Sequence, residues 1–375
     1  MDNLYLLDLI NEANSRGGGM ILNFEGKPAV VVLSIDRYNN IVNNQAMLEQ
    51  PMNKGKVLVT GGAGYIGGHL VHELIAAGYN VVILDNLSTG KRENIHAKAI
   101  FIEGDLADHN LLQDVFASHK FEAVFHMAAS LEVGESVEYP EKYFTNNVVN
   151  TYNLLNAMNE ANCKKIIFSS SAAVYGEAAA SPITEISPLH PNNPYGSTKL
   201  LAERAIKFYC EYSGFHAVVF RYFNACGFNL NAKILPTHHS HLIYNVLMVA
   251  KGAKPYLEVF GNDYPTFDGT CIRDYVHVSD IVLPHILALE KMQEGKRFEV
   301  YNIGTSHGHS VLQVVNSASE VLNKIIPMEV APRRAGDAAS TVADNAKLLK
   351  ELGYSLKYSD LENMIKTSWE VIKYQ

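Results

Sequence analysis

The chain has 375 residues, with 31 Lys and Arg against 39 Asp and Glu for a formal charge of −8, and 47% of its residues are hydrophobic. That is room for two or three domains and apolar mass for a sizeable core, which excludes a single small module, a disordered chain and a strongly basic nucleic-acid binder. No apolar run approaches the roughly 18 residues of a membrane helix, and MDNLYLLDLINEA at the N-terminus carries acids where a secretory signal carries bases, so a cytoplasmic protein is expected. Cys163, Cys210, Cys226 and Cys271 form no C-x-x-C pair and are expected to be reduced, packed thiols.

Residues 1–50 read as a separate α+β unit. Leu4, Leu7 and Ile10 at helical spacing precede Gly17-Gly18-Gly19, and then ILNF and AVVVLSI flank Glu25-Gly26-Lys27-Pro28, which predicts a helix and a β-hairpin. A further short helix is expected after Asp36, a suitable N-cap. With the closing SIDRYNNIV, this stretch resembles antitoxins of the prevent-host-death family, which implies a small dimerising, operator-binding fold. With only Arg16, Lys27 and Arg37 to meet phosphates, nucleic-acid binding is not expected of it here. A linker is expected over Gln45 to Lys54, where Pro51 and Asn53 break the pattern.

From Lys56 the chain alternates short apolar runs with helix-length segments: KVLVTGG, HLVHELIAAG, NVVILDN, AIFIEGD, EAVFHMAAS and KKIIFSSS. This is the pattern of an α/β, doubly wound parallel sheet, expected over residues 55–225 as a Rossmann domain. Residues 226–375 are less regular and should form a smaller substrate domain with some segments returning to the first. Val57-Leu58-Val59 runs into Thr60-Gly61-Gly62-Ala63-Gly64-Tyr65-Ile66-Gly67, so glycines fall where backbone must approach a pyrophosphate at a helix N-terminus. Val81 to Leu84 then ends in Asp85, 18 residues past Gly67, a carboxylate able to accept from an adenosine ribose and to repel a 2′-phosphate. NAD is therefore expected over NADP. Asp105, ending the third strand, is a candidate for the adenine side.

Tyr195-Gly196-Ser197-Thr198-Lys199 places a phenol and an ammonium one helical turn apart. Chance supplies about one such pair among 20 tyrosines and 22 lysines, so its weight comes from position: it follows the strand KKIIFSSS, whose C-terminal end carries Ser171 to the cofactor edge of the sheet. The ammonium and a positive nicotinamide are expected to draw the phenol pKa down and make Tyr195 a usable base.

From Lys56 to the C-terminus the chain resembles the extended short-chain dehydrogenase/reductase family, and within it the nucleotide-sugar 4-epimerases that act on UDP-glucose and UDP-galactose. The likeness is carried by TGGAGYIG, ILDNLSTGKRENI, VGESV, SSSAAVYGE, PYGSTKL, RYFNACG, GNDYPTFDGTCIRDYVHVSDI and APRRAGD. It implies that Tyr195 is the acid/base, that Lys199 holds the nicotinamide ribose, and that Ser171 binds the reacting sugar oxygen. It implies tightly held NAD contacted by Gly61, Gly64, Tyr65, Ile66, Gly67, Asp85, Asn86, Asp105, Leu106, Met127, Ala128, Ala129, Asn146, Lys199 and Tyr222. It assigns UDP contacts to Asn224, His241, Leu242, Phe260, Arg273, Arg334 and Asp337, and implies a homodimer.

Thr341, small where narrow-specificity members carry tyrosine, implies room for UDP-N-acetylhexosamines. Ala172-Ala173 after Ser171 supplies no acid for elimination or decarboxylation. Met127 stands where the family often has phenylalanine. The run His238, His239 and His241 resembles a uridine loop, and no metal is expected. Alternatives are a uronate or pentose epimerase on the same fold, or a non-catalytic sugar-nucleotide sensor with a regulatory N-terminal unit.

Overall fold

The computed structural model describes residues 19–24, 27–33, 54–177, 181–237, 241–292, 297–334 and 337–374. The chain forms two compact units, residues 1–53 and 54–375. In the first, β1 (Gly19–Phe24) and β2 (Lys27–Leu33) pair antiparallel, with Phe24 opposite Lys27 and a bulge between Leu22 and Asn23. The expected hairpin is present and closes more tightly than expected, because Lys27 and Pro28 already belong to β2. The helices expected around Leu4 to Ile10 and after Asp36 lie outside the described residues.

The second unit is built on seven parallel strands: β3 (Lys56–Thr60), β4 (Asn80–Asp85), β5 (Ile100–Glu103), β6 (Ala123–His126), β7 (Lys165–Ser171), β8 (His216–Tyr222) and β12 (Phe298–Ile303). Their order is β12-β8-β7-β6-β3-β4-β5, so the sheet grows outward in both directions from the β3/β6 boundary. Period-two alternation divides the apolar runs between two cores. Val57, Val59, Val81 and Ile83 enter one; Leu58, Val82, Leu84, Ile166 and Phe168 enter the other. Burial on both faces is why these strands read as continuous hydrophobic runs.

On the first face lie α1 (Tyr65–Ala76) and a helix from late in the chain, Val278–Lys291. The second face is covered by α2 (His109–Ser118), α5 (Asn150–Glu160) and α6 (Pro194–Tyr212). Two short helices, α3 (Val133–Glu138) and α4 (Pro140–Phe144), lead through one π-helical turn, Thr145–Val149, into α5. Such turns disturb the ladder locally and are frequent at functional sites.

The remaining residues form smaller sheets. One joins β9 (Asn224–Cys226), β11 (Ile272–His277), β13 (Gly308–Ser310) and β15 (Ser340–Thr341); the other pairs β10 (Leu257–Phe260) with β14 (Met328–Ala331). A separate core gathers Cys226, Ile243, Leu247, Val314, Met364 and Ile365 from these sheets and the helices Leu242–Ala250, Val311–Leu322 and Leu361–Ile372. The four cysteines are free thiols. Among the described residues, no helix is long and apolar enough to cross a membrane.

Candidate active site

A cavity of about 820 Å³ runs along the C-terminal ends of β3, β4, β6 and β7 and continues against β9, β11 and β15. Its floor is the glycine loop between β3 and α1. Gly61 has φ +71°, and a Cβ there would stand 2.6 Å from the Ala128 nitrogen; a Cβ on Gly67 would stand 2.1 Å from the Gly61 oxygen. Only glycine satisfies both positions. No side chain caps α1, whose first-turn N–H groups are thereby left for an anionic guest.

Asp85 ends β4 almost fully buried on the cavity wall. Its Oδ2 accepts from the Ala63 N–H and its Oδ1 from the Leu87 N–H, both at 2.9 Å. Burial pushes its carboxyl above the usual range, against those two bonds. Asp105 stands beside it, accepting from Asn86 Nδ2 at 2.6 Å and from Asn150 Nδ2 at 3.3 Å. Of the two nearby cations, Lys91 and Arg92, neither lines the cavity, and Arg92 pairs with Glu103 and rests over the Phe101 ring. An uncapped helix start, glycines a Cβ would fill, and an acid where a 2′-phosphate would need a base together fit NAD.

The second wall is β7 and α6. Asn193 caps α6 through its side chain, which accepts from the Gly196 N–H at 2.8 Å, and Pro194 opens the helix, so the Tyr195 turn is fixed at its first residues. Tyr195 and Lys199 both line the cavity, and the Tyr195 phenol hydrogen-bonds Ser171. Lys199 is 2% exposed; its ammonium donates to the Ser169 carbonyl at 2.7 Å and lies 5.0 Å from the Phe168 ring centroid. Burial pulls its pKa down to about 7, with the Glu203 carboxylate acting the other way.

The protein's own groups push Tyr195 up, not down. Burial pushes the phenol up, the Ser171 bond lowers it, and the Glu132 carboxylate raises it again. The ammonium expected to lower it is turned to a backbone carbonyl, so desolvation decides the sign.

The loop after β6 completes the cofactor side. Asn147, in the π-helical turn, accepts from the Ser130 N–H at 2.8 Å and donates to the Ser130 carbonyl at 2.9 Å and to Thr198 Oγ1 at 3.1 Å. One buried amide thus ties Met127, Ala128, Ala129 and Ser130 to the helix bearing Tyr195. Asn146 beside it lines the cavity and donates to Ser130 Oγ at 3.0 Å. Beneath them His126 bridges Thr60 Oγ1 at 2.7 Å and Thr151 Oγ1 at 2.8 Å. Tyr222 lines the far wall, 2.5 Å from His285 Nε2.

The opposite side comes from distant parts of the chain. Arg273 on β11 sits directly across from Thr341 on β15. Its guanidinium donates to the Ala338 carbonyl at 2.8 Å and pairs with Asp337 at 3.3 Å. Asn224, His241, Arg273, Asp337 and Thr341 all line the cavity.

Three expected contacts do not. Arg334 is exposed and stacks 3.8 Å from the centroid of Phe260, making a pair outside the lining, and Leu242 begins a helix and packs into the third core. His238 and His239 lie outside the described residues, among which no cluster of His, Cys, Asp or Glu is placed to hold a metal. Residues not anticipated also face the cavity: Ser130, Leu131 and Glu132 after β6, and Asn192 and Asn193 before α6. Their signal was available, since both segments adjoin strand or helix ends at the C-terminal edge of a parallel sheet, where ligands bind.

Residues 57–304 match the model of the NAD dependent epimerase/dehydratase family. A UDP-glucose 4-epimerase of Lacticaseibacillus casei is 43% identical over 315 residues, 84% of this chain and 95% of that relative. The solved structure of UDP-glucose 4-epimerase from Brucella ovis in complex with NAD superposes with a TM-score of 0.82 at 41% identity, covering 85% of this chain and 98% of that one. That of the UDP-Glc/GlcNAc 4-epimerase from Campylobacter jejuni gives 0.75 at 38% identity, covering 86% and 100%. The chain belongs to the NAD dependent epimerase/dehydratase family.

Proposed function

We propose that this protein interconverts UDP-glucose and UDP-galactose by inversion at C4 through a 4-keto sugar, with tightly bound NAD. The observation that carries the reading is the joining, in one cavity, of the glycine loop and Asp85 with Ser171, Tyr195 and Lys199 on one side and Arg273 on the other. Gly61, Gly64, Gly67 and Asp85 would hold NAD, which would supply hydride acceptance and return at C4.

The protein's own residues do the rest. Ser171 holds the sugar 4-oxygen beside Tyr195, and Tyr195 removes the hydroxyl proton as the carbon is oxidised and gives it back on reduction. Lys199 keeps a positive charge near the phenolate that forms. Asn224, His241 and Arg273 hold the UDP, Arg273 by the planar fork that suits phosphate oxygens. The sugar can then turn about its link to the pyrophosphate while the nucleotide stays fixed. Gly61, Gly64 and Gly67 cradle the cofactor phosphates, and Asp85 takes the adenosine ribose.

In this reading residues 55–225 mainly hold cofactor and 226–375 mainly substrate. A cytoplasmic homodimer is part of it; Tyr152 on α5 with Leu201, Phe208 and Tyr212 on α6 are exposed apolar side chains suited to a self-association face. Residues 1–50 are assigned no part, and their likeness to antitoxins rests on the hairpin and its sequence pattern. The small Thr341 beside Arg273 favours activity on UDP-N-acetylhexosamines as well, and Thr341→Tyr should abolish that activity while sparing UDP-galactose.

The test is a coupled assay of UDP-galactose conversion without added NAD, together with identification of the nucleotide released on denaturation. Conversion with NAD released is expected. No conversion even with NAD supplied would overturn the reading and favour the uronate or pentose alternatives.

A further inference from the structure

Between Ser130 and Asn147 the chain bears repeatedly on the first turn of α6. Asn147 bonds Thr198, and two residues that the mechanism leaves unused bear on Tyr195 itself. Ser136, fully buried on α3, donates its hydroxyl to the Val133 carbonyl at 2.6 Å and accepts from the Tyr195 N–H at 3.2 Å. Tyr143, fully buried on α4, stands edge-on to the Tyr195 ring, with centroids 6.5 Å apart and planes at 86°. The Tyr143 hydroxyl is anchored in turn, 2.7 Å from the Glu132 carbonyl and 2.8 Å from Glu135 Oε2, and Lys142 pairs with Glu135 at 2.6 Å.

The start of a helix is where its backbone is least determined, because the first N–H groups have no partner within the helix. Tyr195 is the second residue of α6, and Pro194 before it has no N–H to place. Gly196 and Ser197 give theirs to Asn193 at 2.8 and 3.1 Å, within the same stretch of chain. Tyr195 gives its N–H across to α3. With its own proton committed to Val133, the Ser136 oxygen turns lone pairs toward that N–H. Neither Ser136 nor Tyr143 lines the cavity, so an effect of either on the chemistry must pass through a residue that does.

Resting on the reading of Tyr195 as the proton carrier, we propose that Ser136 and Tyr143 are positioning residues for it: Ser136 fixes the backbone from which the side chain leaves, and Tyr143 fixes the plane of its ring. Together they keep the phenol beside Ser171. A displacement of about 1 Å at such a group can cost about 10²-fold in rate.

The experiment uses the NAD-loaded protein. Ser136→Ala removes the acceptor, Tyr143→Leu removes the ring, and Tyr143→Phe keeps the ring without the hydroxyl; Ser136→Ala is also combined with Tyr195→Phe. Two quantities are read: kcat and KM for UDP-galactose, and the Tyr195 ring signal by NMR of protein carrying 13C-tyrosine, assigned through Tyr195→Phe.

Ser136→Ala and Tyr143→Leu, still melting cooperatively, should each lower kcat by about 10-fold with KM held within about twofold, and each should shift or broaden the Tyr195 signal. Tyr143→Phe should bring kcat back to within about threefold of wild type. Where no phenol remains to be aimed the effect should vanish: added to Tyr195→Phe, Ser136→Ala should change the residual kcat by less than about twofold. An equal loss in both backgrounds, or folded variants with kcat and the Tyr195 signal unmoved, would show Ser136 and Tyr143 to be braces of two short helices alone. Tyr143→Leu leaves the Ser136 bond in place and so carries the test if Ser136→Ala does not fold. The NMR signal reports on Tyr195 whether or not UDP-galactose proves to be the substrate.

Discussion

The two sides of the cavity are built in opposite ways. On the cofactor side the groups fall in short stretches of the chain: the glycine loop joins one strand to the next helix, and Tyr195 and Lys199 are four residues apart. On the substrate side the groups come from far apart: Arg273 and Asp337 are separated by 64 residues and meet because β11 and β15 pair. Lys199 and Asp85 are buried, whereas Arg273 and Asp337 lie nearer solvent. Chemistry is thus expected to depend on the first side and affinity on the second.

The largest expected effect tests that division directly. Tyr195→Phe keeps the ring and removes the proton carrier, so kcat for UDP-galactose should fall by about 10³-fold with KM little changed in the coupled assay. A retained kcat would mean that the proton travels by another group. Next in size, Arg273→Leu should raise KM by about 10- to 100-fold while leaving kcat within about threefold if its contact is, as proposed, to the part of the substrate that does not react. A collapse of kcat instead would place Arg273 on the chemical side.

A third test concerns stability across both sides. His126 and His285 are held neutral by burial, their pKa lowered to about 3, and His69 and His277 are lowered to about 4. Unfolded histidine takes up its proton near pH 6.5, so below that value the unfolded chain binds protons the native protein refuses, and stability is lost as pH falls from about 6.5 toward 4. Thermal melting should show up to about four protons taken up on unfolding at pH 5, and a melting temperature flat across that interval would contradict it. The smallest expected effect is at Arg334. Exposed and stacked on Phe260, it should change KM by about threefold or less on substitution with alanine, against the larger change at Arg273.

What could be read in advance follows the same division. The parallel sheet, the glycine loop and the Tyr195/Lys199 pair are patterns of near neighbours, and the continuous apolar run Val57-Leu58-Val59 is visible before any fold exists. The meeting of Arg273 with Thr341 is a strand register in a small sheet, which no local periodicity encodes. Phe260 and Arg334 carry plausible chemistry but point to each other rather than to the cavity. The burial that raises Tyr195 was not legible for a different reason: neighbouring charge is visible in a motif, whereas burial is a property of the finished fold.

Between Tyr222, which ends a strand of the main sheet, and Asn224, which begins a strand of the smaller one, stands the single residue Phe223. It is 6% exposed, and its N–H is bonded to Ile303 at 3.0 Å. This crossing from one half of the cavity to the other is a single buried residue bonded to the main sheet, so β9 begins directly where β8 ends. A change of side chain at Phe223 is therefore felt on both walls of the cavity at once.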